Sequence, residues 1–139
     1  MSVNRTYKLP WTRFDPQEIE AAATAVAASF PGLRVTVERF SDTAVHCYFI
    51  LCREPGDVPL EWRLRPHFEL LVGPGGAPVA LPMQVEVDFS HLPANADSPQ
   101  DLYLMSVDQG RCWNEALWPL ATEIMDRFCR YWGIEPEWW

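Results

Sequence analysis

Apolar residues recur with helical spacing near the start of the chain and with strand spacing after it. Asp15 suits a helix N-cap, Pro16 suits the first helical position, and Glu18 completes a capping-box pattern. The apolar stripe that follows ends at Pro31 and Gly32, which predicts an amphipathic helix. The stripe consists of Ile19, Ala22, Ala23, Val26, Ala27 and Phe30.

Four segments after this helix are typical of strands. Leu33–Phe40 alternates apolar and polar residues, and Ala44–Cys52 is so rich in β-branched and aromatic residues that it is expected to be buried on both faces. Leu60–Val72 is the third candidate, with Pro66 at a bulge or edge, and Met83–Phe89 alternates again with its odd-numbered residues inward. A helix followed by successive hairpins predicts an α+β fold with a four-stranded antiparallel meander.

The segment from His91 to Cys112 is polar and interrupted. It contains Pro93 and Gly110, and only Leu102–Val107 has the pattern of a short strand. We therefore expect a long irregular piece, and long loops in compact domains are usually functional or disordered.

A second helix is predicted to close the chain. It begins near Pro119 and ends at Gly133, a natural C′ residue. Because neither a repeat nor a linker is visible, residues 1–139 are expected to form a single domain. The apolar face of this helix consists of Leu117, Leu120, Ala121, Ile124, Met125, Phe128 and Tyr131.

The charge balance narrows the range of partners. The chain of 139 residues has 11 Lys and Arg against 19 Asp and Glu, a net charge of −8, with 48% hydrophobic and 22% charged residues. This is the composition of a folded protein. Its acidity argues against nucleic acid or an anionic membrane as the main partner, since both require a basic surface. A basic protein or a neutral ligand fits better.

The first residues are polar, and the longest apolar stretch, Val45–Cys52, is interrupted by His46 and is too short to span a bilayer. Four cysteines without close pairing do not resemble a secreted disulfide scaffold. We expect a cytoplasmic protein of bacterial type with reduced thiols.

Cysteine and histidine prompt a search for a metal site. Cys47 and Cys52 have opposite parity on a strand, so their side chains point to opposite faces. His46 shares a face with Cys52 but lies roughly 20 Å from it at ~3.3 Å per residue. No zinc site and no cofactor are therefore expected, and His46 is predicted to be a strand residue with a satisfied ring nitrogen.

One cysteine differs from the others. Cys112 follows Gly110 and Arg111 and directly precedes the last helix, where a neighbouring cation and a helix N-terminus both favour the thiolate. Asp108 and Glu115 oppose this effect. Cys112 is therefore the candidate nucleophile. The other three, Cys47, Cys52 and Cys129, are predicted to be small core residues.

The order of elements, with several short motifs, resembles a known family. The motifs are Pro82 before the fourth strand, His91 with Pro93 and Asn95, Gly110-Arg111-Cys112, and Trp118-Pro119 at the start of a helix. Together they resemble the ubiquitin-conjugating enzyme fold. The closest likeness is to divergent bacterial members that sit beside ubiquitin-like modifiers, activating enzymes and deconjugating peptidases in antiviral defence operons.

The resemblance implies a transferase that works by transthiolation. Cys112 would take a ubiquitin-like modifier from its activating enzyme, hold it as a thioester, and pass it to an amine of an acceptor protein. His91 belongs to the matching motif. Asn95 or Asn114 would stabilise the oxyanion, and Asp108 or Glu115 would orient or deprotonate the acceptor amine. No metal and no cofactor are implied.

A second reading needs no chemistry. An acidic α+β domain of this size suits a non-catalytic binding module, such as a toxin-neutralising immunity protein or a secretion chaperone. Trp113, Trp138 and Trp139 are expected to be exposed and would then anchor a basic partner. A third reading is a thiol hydrolase that uses Cys112 and His91.

Overall fold

The computed structural model describes residues 3–30, 32–51, 84–112 and 117–139. Within these residues the protein is α+β, with two helices and a six-stranded antiparallel sheet. In chain order the elements are β1 (Asn4–Lys8), α1 (Pro16–Ala28), β2 (Leu33–Ser41), β3 (Ala44–Leu51), β4 (Gln84–Leu92), β5 (Leu102–Cys112), α2 (Trp118–Trp132) and β6 (Glu137–Trp138).

The strands lie in the order β2-β3-β4-β5-β1-β6. β3 pairs directly with β4, with His46 opposite Asp88. The antiparallel arrangement is thus confirmed, but the predicted order of the meander is wrong, because β3 has β2 on one side and β4 on the other. β1 and β6 add two strands that the sequence pattern did not predict. The predicted third strand, Leu60–Val72, lies outside the described residues, as do Pro82 and Cys52.

The predicted first helix is confirmed as α1. Asp15 Oδ1 accepts hydrogen bonds from the backbone N–H groups of Gln17 and Glu18, at 3.0 and 3.4 Å, and so caps the helix. The Glu18 carboxylate accepts a bond from the Trp132 indole nitrogen at 3.2 Å. The first turn of α1 is therefore joined to the last turn of α2.

The predicted second helix is confirmed as α2, and it ends as expected at Gly133. Gly133 has φ 64°, and the N–H of Ile134 donates to the Cys129 carbonyl at 3.0 Å. One residue of the predicted apolar face is wrong: Tyr131 is 47% exposed. The neighbouring Trp132 packs against the core instead, with its ring centroid 5.4 Å from that of Phe128.

Both helices pack into one core on the same face of the sheet. The Phe128 ring meets those of Phe49 and Phe89 edge to face, at centroid distances of 5.8 and 5.1 Å. The expectation that β3 is buried on both faces is wrong, because its residues alternate and Ile50 is 38% exposed. Among the residues described, neither helix is long and apolar enough to cross a membrane.

The predicted irregular segment from His91 to Cys112 is also wrong in most of its length. β4 continues to Leu92 and β5 begins at Leu102, so β5 has 11 residues and pairs with β4 on one side and β1 on the other. Over residues 104–107 pairing on both sides satisfies the backbone polar groups, which stabilises a strand that includes polar residues.

A bulge near the end of β5 changes which side chains face the core. Val87 is opposite Val107, but Val85 is opposite Cys112, so two steps along β4 match five along β5. In a regular strand residues 107 and 112 would point to opposite faces. The bulge directs both into the core, where their side chains are buried.

The αL position of Gly133 provides a test of the helix end. An ideal Cβ at this residue meets no atom within 4 Å, so Gly133→Ala is expected to destabilise the protein by about 1 kcal/mol through conformational strain alone. Gly133→Asn is the matched control and should lose less, since asparagine tolerates αL. Urea unfolding measures both. Equal stability of the alanine variant and the parent would contradict the assigned cap.

Candidate functional site

The predicted nucleophile lies in the core. Cys112 is 3% exposed and forms the end of β5, so Gly110-Arg111-Cys112 is part of a bulged strand and not a turn at the entrance of α2. Burial, and secondarily the charge of Asp108, raises the pKa of the Cys112 thiol from 9.0 to about 12. A buried thiol with a raised pKa is a poor nucleophile.

His91 lies at the other end of the same strand pair. It is opposite Tyr103, whereas Cys112 is opposite Val85, six positions away along β4. At ~3.3 Å per residue this separates the two positions by about 20 Å. His91 and Cys112 therefore form no common site, which removes the geometric basis for a thiol hydrolase that uses both.

The other two predicted site residues have local structural contacts. Asn95 Oδ1 accepts hydrogen bonds from the N–H groups of Asp97 and Ser98, both at 2.8 Å, and closes a turn. Asp108 Oδ1 accepts a bond from the Gly110 N–H at 2.6 Å and supports the bulge. Of the three residues predicted to act with Cys112, only Asp108 lies near it, and its charge opposes the thiolate. Asn114, Glu115 and Trp113 lie outside the described residues.

His91 orders the connection between β4 and β5. Its ring stacks on Tyr103 with a centroid distance of 4.7 Å, and its Nε2 is 3.2 Å from Asp101 Oδ2. The hydrogen bond from the Ala94 N–H to Asp101, and then the His91 ring, lower the pKa of the Asp101 carboxyl group. These contacts hold the segment of residues 93–101 against the end of the sheet.

A polar cluster occupies the sheet face opposite the helices. We call it the open-face cluster; it consists of His46, Glu86, Asp88 and Arg111. His46 Nδ1 lies 3.4 Å from Glu86 Oε1 and 3.5 Å from Asp88 Oδ1. The Arg111 guanidinium contacts Asp88 Oδ2 and lies 3.6 Å from Glu86 Oε2. Asp88 is only 8% exposed, so a carboxylate in this cluster is largely removed from water.

For Nδ1, the expectation of a satisfied ring nitrogen in His46 is wrong. Among the described residues, neither His46 Nδ1 nor Asp88 Oδ1 has a hydrogen-bond partner, although both atoms are buried. Such atoms are uncommon in folded proteins because desolvation is not compensated. Beside the cluster is a cleft of about 490 Å³. It is lined by Tyr48, Gln84, Glu86, Gly110, Arg111 and Cys112.

Sequence reasoning missed this cluster because it considered only cysteine and histidine as metal ligands. The available signal was parity: Glu86 and Asp88 are the outward positions of a strand whose inward positions are apolar, and His46 is an outward position of the strand before it. Only the pairing of His46 with Asp88 brings them together.

Two tryptophans form a second surface, at the β6 edge of the sheet. Trp138 is 60% and Trp139 is 63% exposed, which confirms the predicted exposure of both. The backbone is nevertheless fixed, since Trp138 pairs with Tyr7 and the Trp139 N–H donates to the Thr6 carbonyl at 3.1 Å. Arg5 lies over the Trp138 ring, 5.2 Å from its centroid.

Comparison with protein-family models, with curated proteins and with solved structures finds no match to this chain. The resemblance to ubiquitin-conjugating enzymes, the bacterial defence setting and the cytoplasmic location therefore stay predictions.

The burial of Cys112 predicts slow thiol chemistry. With its pKa raised from 9.0 to about 12, the thiolate fraction at neutral pH falls about a thousandfold. Site-resolved alkylation at pH 8 should label Cys112 at least 100-fold more slowly than a cysteine introduced at an exposed helical position by Thr24→Cys. In denaturant the two should react alike. Equal rates in the folded protein would show that the thiol is accessible.

Proposed function

We propose that the protein is a non-catalytic acidic module that binds a basic protein partner through its β6 edge. The observation that carries the proposal is the pair of exposed tryptophans, Trp138 and Trp139, on a backbone fixed by strand pairing. Tryptophan is the residue most enriched at interface hot spots. A fixed backbone reduces the entropy lost on binding.

Charge supports the choice of partner. A net charge of −8 attracts a basic surface and accelerates encounter. Glu135 and Glu137 are exposed beside the tryptophans, so acidic groups flank the aromatic surface. Arg5 is engaged with the Trp138 ring. The expected complex therefore has an aromatic centre and a charged rim.

A module of this kind would cover a basic protein in the manner of an immunity protein or a secretion chaperone. The conjugating activity receives less support from the site, because its thiol is buried and its motif residues lie apart. The binding proposal depends on Trp138 and Trp139, whereas conjugation depends on Cys112.

Binding is tested with the double variant Trp138→Ala/Trp139→Ala, with Tyr131→Ala as the matched control for loss of an exposed aromatic ring. Basic proteins of the source cell that bind to the parent protein are purified. The Kd of each complex is then measured by calorimetry at two salt concentrations. The double variant should bind at least about 30-fold more weakly, the hot-spot threshold of about 2 kcal/mol. The control should bind like the parent. The higher salt concentration should weaken the binding of the parent and of the control alike.

Absence of any basic binder, or binding that survives loss of both tryptophans, would contradict the proposal.

A parallel assay tests the alternative: the protein is incubated with a ubiquitin-like modifier, its activating enzyme and ATP, then run on a non-reducing gel. A thiol-sensitive adduct that disappears in Cys112→Ala would favour conjugation over a binding module.

A further inference from the structure

The open-face cluster leaves two buried polar atoms facing each other without hydrogen bonds. His46 Nδ1 and Asp88 Oδ1 are 3.5 Å apart, and neither has a hydrogen-bond partner among the described residues. Burial of unsatisfied polar atoms is unfavourable unless something else compensates them. A bound cation would compensate both atoms at once, because they are 3.5 Å apart and each can offer a lone pair to the same ion.

We propose that His46, Glu86 and Asp88 form a binding site for a divalent transition-metal ion of the zinc class. The three side chains offer one imidazole nitrogen and two carboxylate oxygens, all within 4.8 Å of one another. A mixed nitrogen and oxygen donor set suits Zn²⁺ and its first-row neighbours, whereas Mg²⁺ and Ca²⁺ prefer oxygen alone.

Two of the three distances between the ligand atoms, those that involve His46 Nδ1, fit a tetrahedral ion. Zinc bonds of about 2.0–2.1 Å at tetrahedral angles separate neighbouring ligand atoms by about 3.3 Å. His46 Nδ1 lies 3.4 Å from Glu86 Oε1 and 3.5 Å from Asp88 Oδ1. The two carboxylate oxygens lie within 4.8 Å of each other, so binding would also draw Glu86 and Asp88 toward the ion.

Arg111 occupies the oxygens that the proposed metal leaves free. Its guanidinium contacts Asp88 Oδ2 and faces Glu86 Oε2, while Oδ1 and Oε1 of the same carboxylates face His46. An outer partner of this kind orients a metal ligand and balances its charge. Arg111 is thus a positioning residue in the proposed site and not a competitor for its centre.

The site is held by rigid elements. His46 and Asp88 are directly opposite on β3 and β4, and Glu86 is the next outward residue of β4. The Phe40 ring covers His46 with a centroid distance of 4.1 Å. Three protein ligands leave a fourth position, as in metal sites that bind water or a ligand. The adjacent cleft, lined in part by Tyr48 and Arg111, gives that position room for a small oxygen or nitrogen donor.

The test is calorimetric titration of the full chain, after treatment with EDTA, with ZnCl₂. All variants carry Cys52→Ser, so that a thiol outside the described residues cannot bind zinc. One ion per chain should bind, and Glu86→Gln and His46→Gln should each weaken binding at least about 100-fold, since loss of an outer partner alone typically weakens it 10–100-fold. Asp101→Asn, which alters the separate His91–Asp101 pair, is the matched control and should bind like the parent.

Thermal unfolding distinguishes loss of the site from loss of the fold. Zinc should raise the Tm of the parent and of Asp101→Asn, but not that of Glu86→Gln, whose Tm without zinc shows whether it is folded. No heat of binding in the parent, or zinc binding that persists in both ligand variants, would overturn the proposal. Because the assay needs no protein partner, its outcome is independent of the proposed binding function.

Discussion

The strict alternation of side chains along the central strand β4 determines how the rest of the molecule is arranged. Val85, Val87 and Phe89 point into the core and are fully buried, while Glu86 and Asp88 point to the open face. A shift of one residue in the pairing of β4 would bury both carboxylates among the helices and expose the apolar residues. The core and the open-face cluster therefore depend on the same register.

The β5 bulge extends this division to the neighbouring strand. It turns Cys112 into the core and places Arg111 on the opposite face, against Glu86 and Asp88. Gly110 eases the close turn, because an ideal Cβ there would lie 3.0 Å from Asp108 Oδ1 and would push that side chain aside. One local irregularity thus removes the predicted nucleophile from solvent and completes a charged cluster on the other side of the sheet.

Local patterns predicted the helices well and the sheet only in part. Caps and apolar stripes are encoded within a few residues, so Asp15 and Gly133 mark the helix ends correctly. β1 escaped prediction because only Tyr7 among its five residues is buried, and its strand conformation comes from pairing with β5. The burial of Cys112 depends on a register shift, which cannot be predicted from the alternation of apolar and polar residues along the strand. The open-face cluster likewise depends on which residue of β4 lies opposite His46.

The proposed zinc site places ligand chemistry on the open face of the sheet, whereas the Cys112 thiol is buried in the core. Anomalous diffraction at the zinc absorption edge, from crystals grown with zinc, tests it most directly. The account predicts a peak about 2.0–2.2 Å from His46 Nδ1, Glu86 Oε1 and Asp88 Oδ1. A map without density at that position, or with its strongest peak at the sulfur of Cys112, would contradict it.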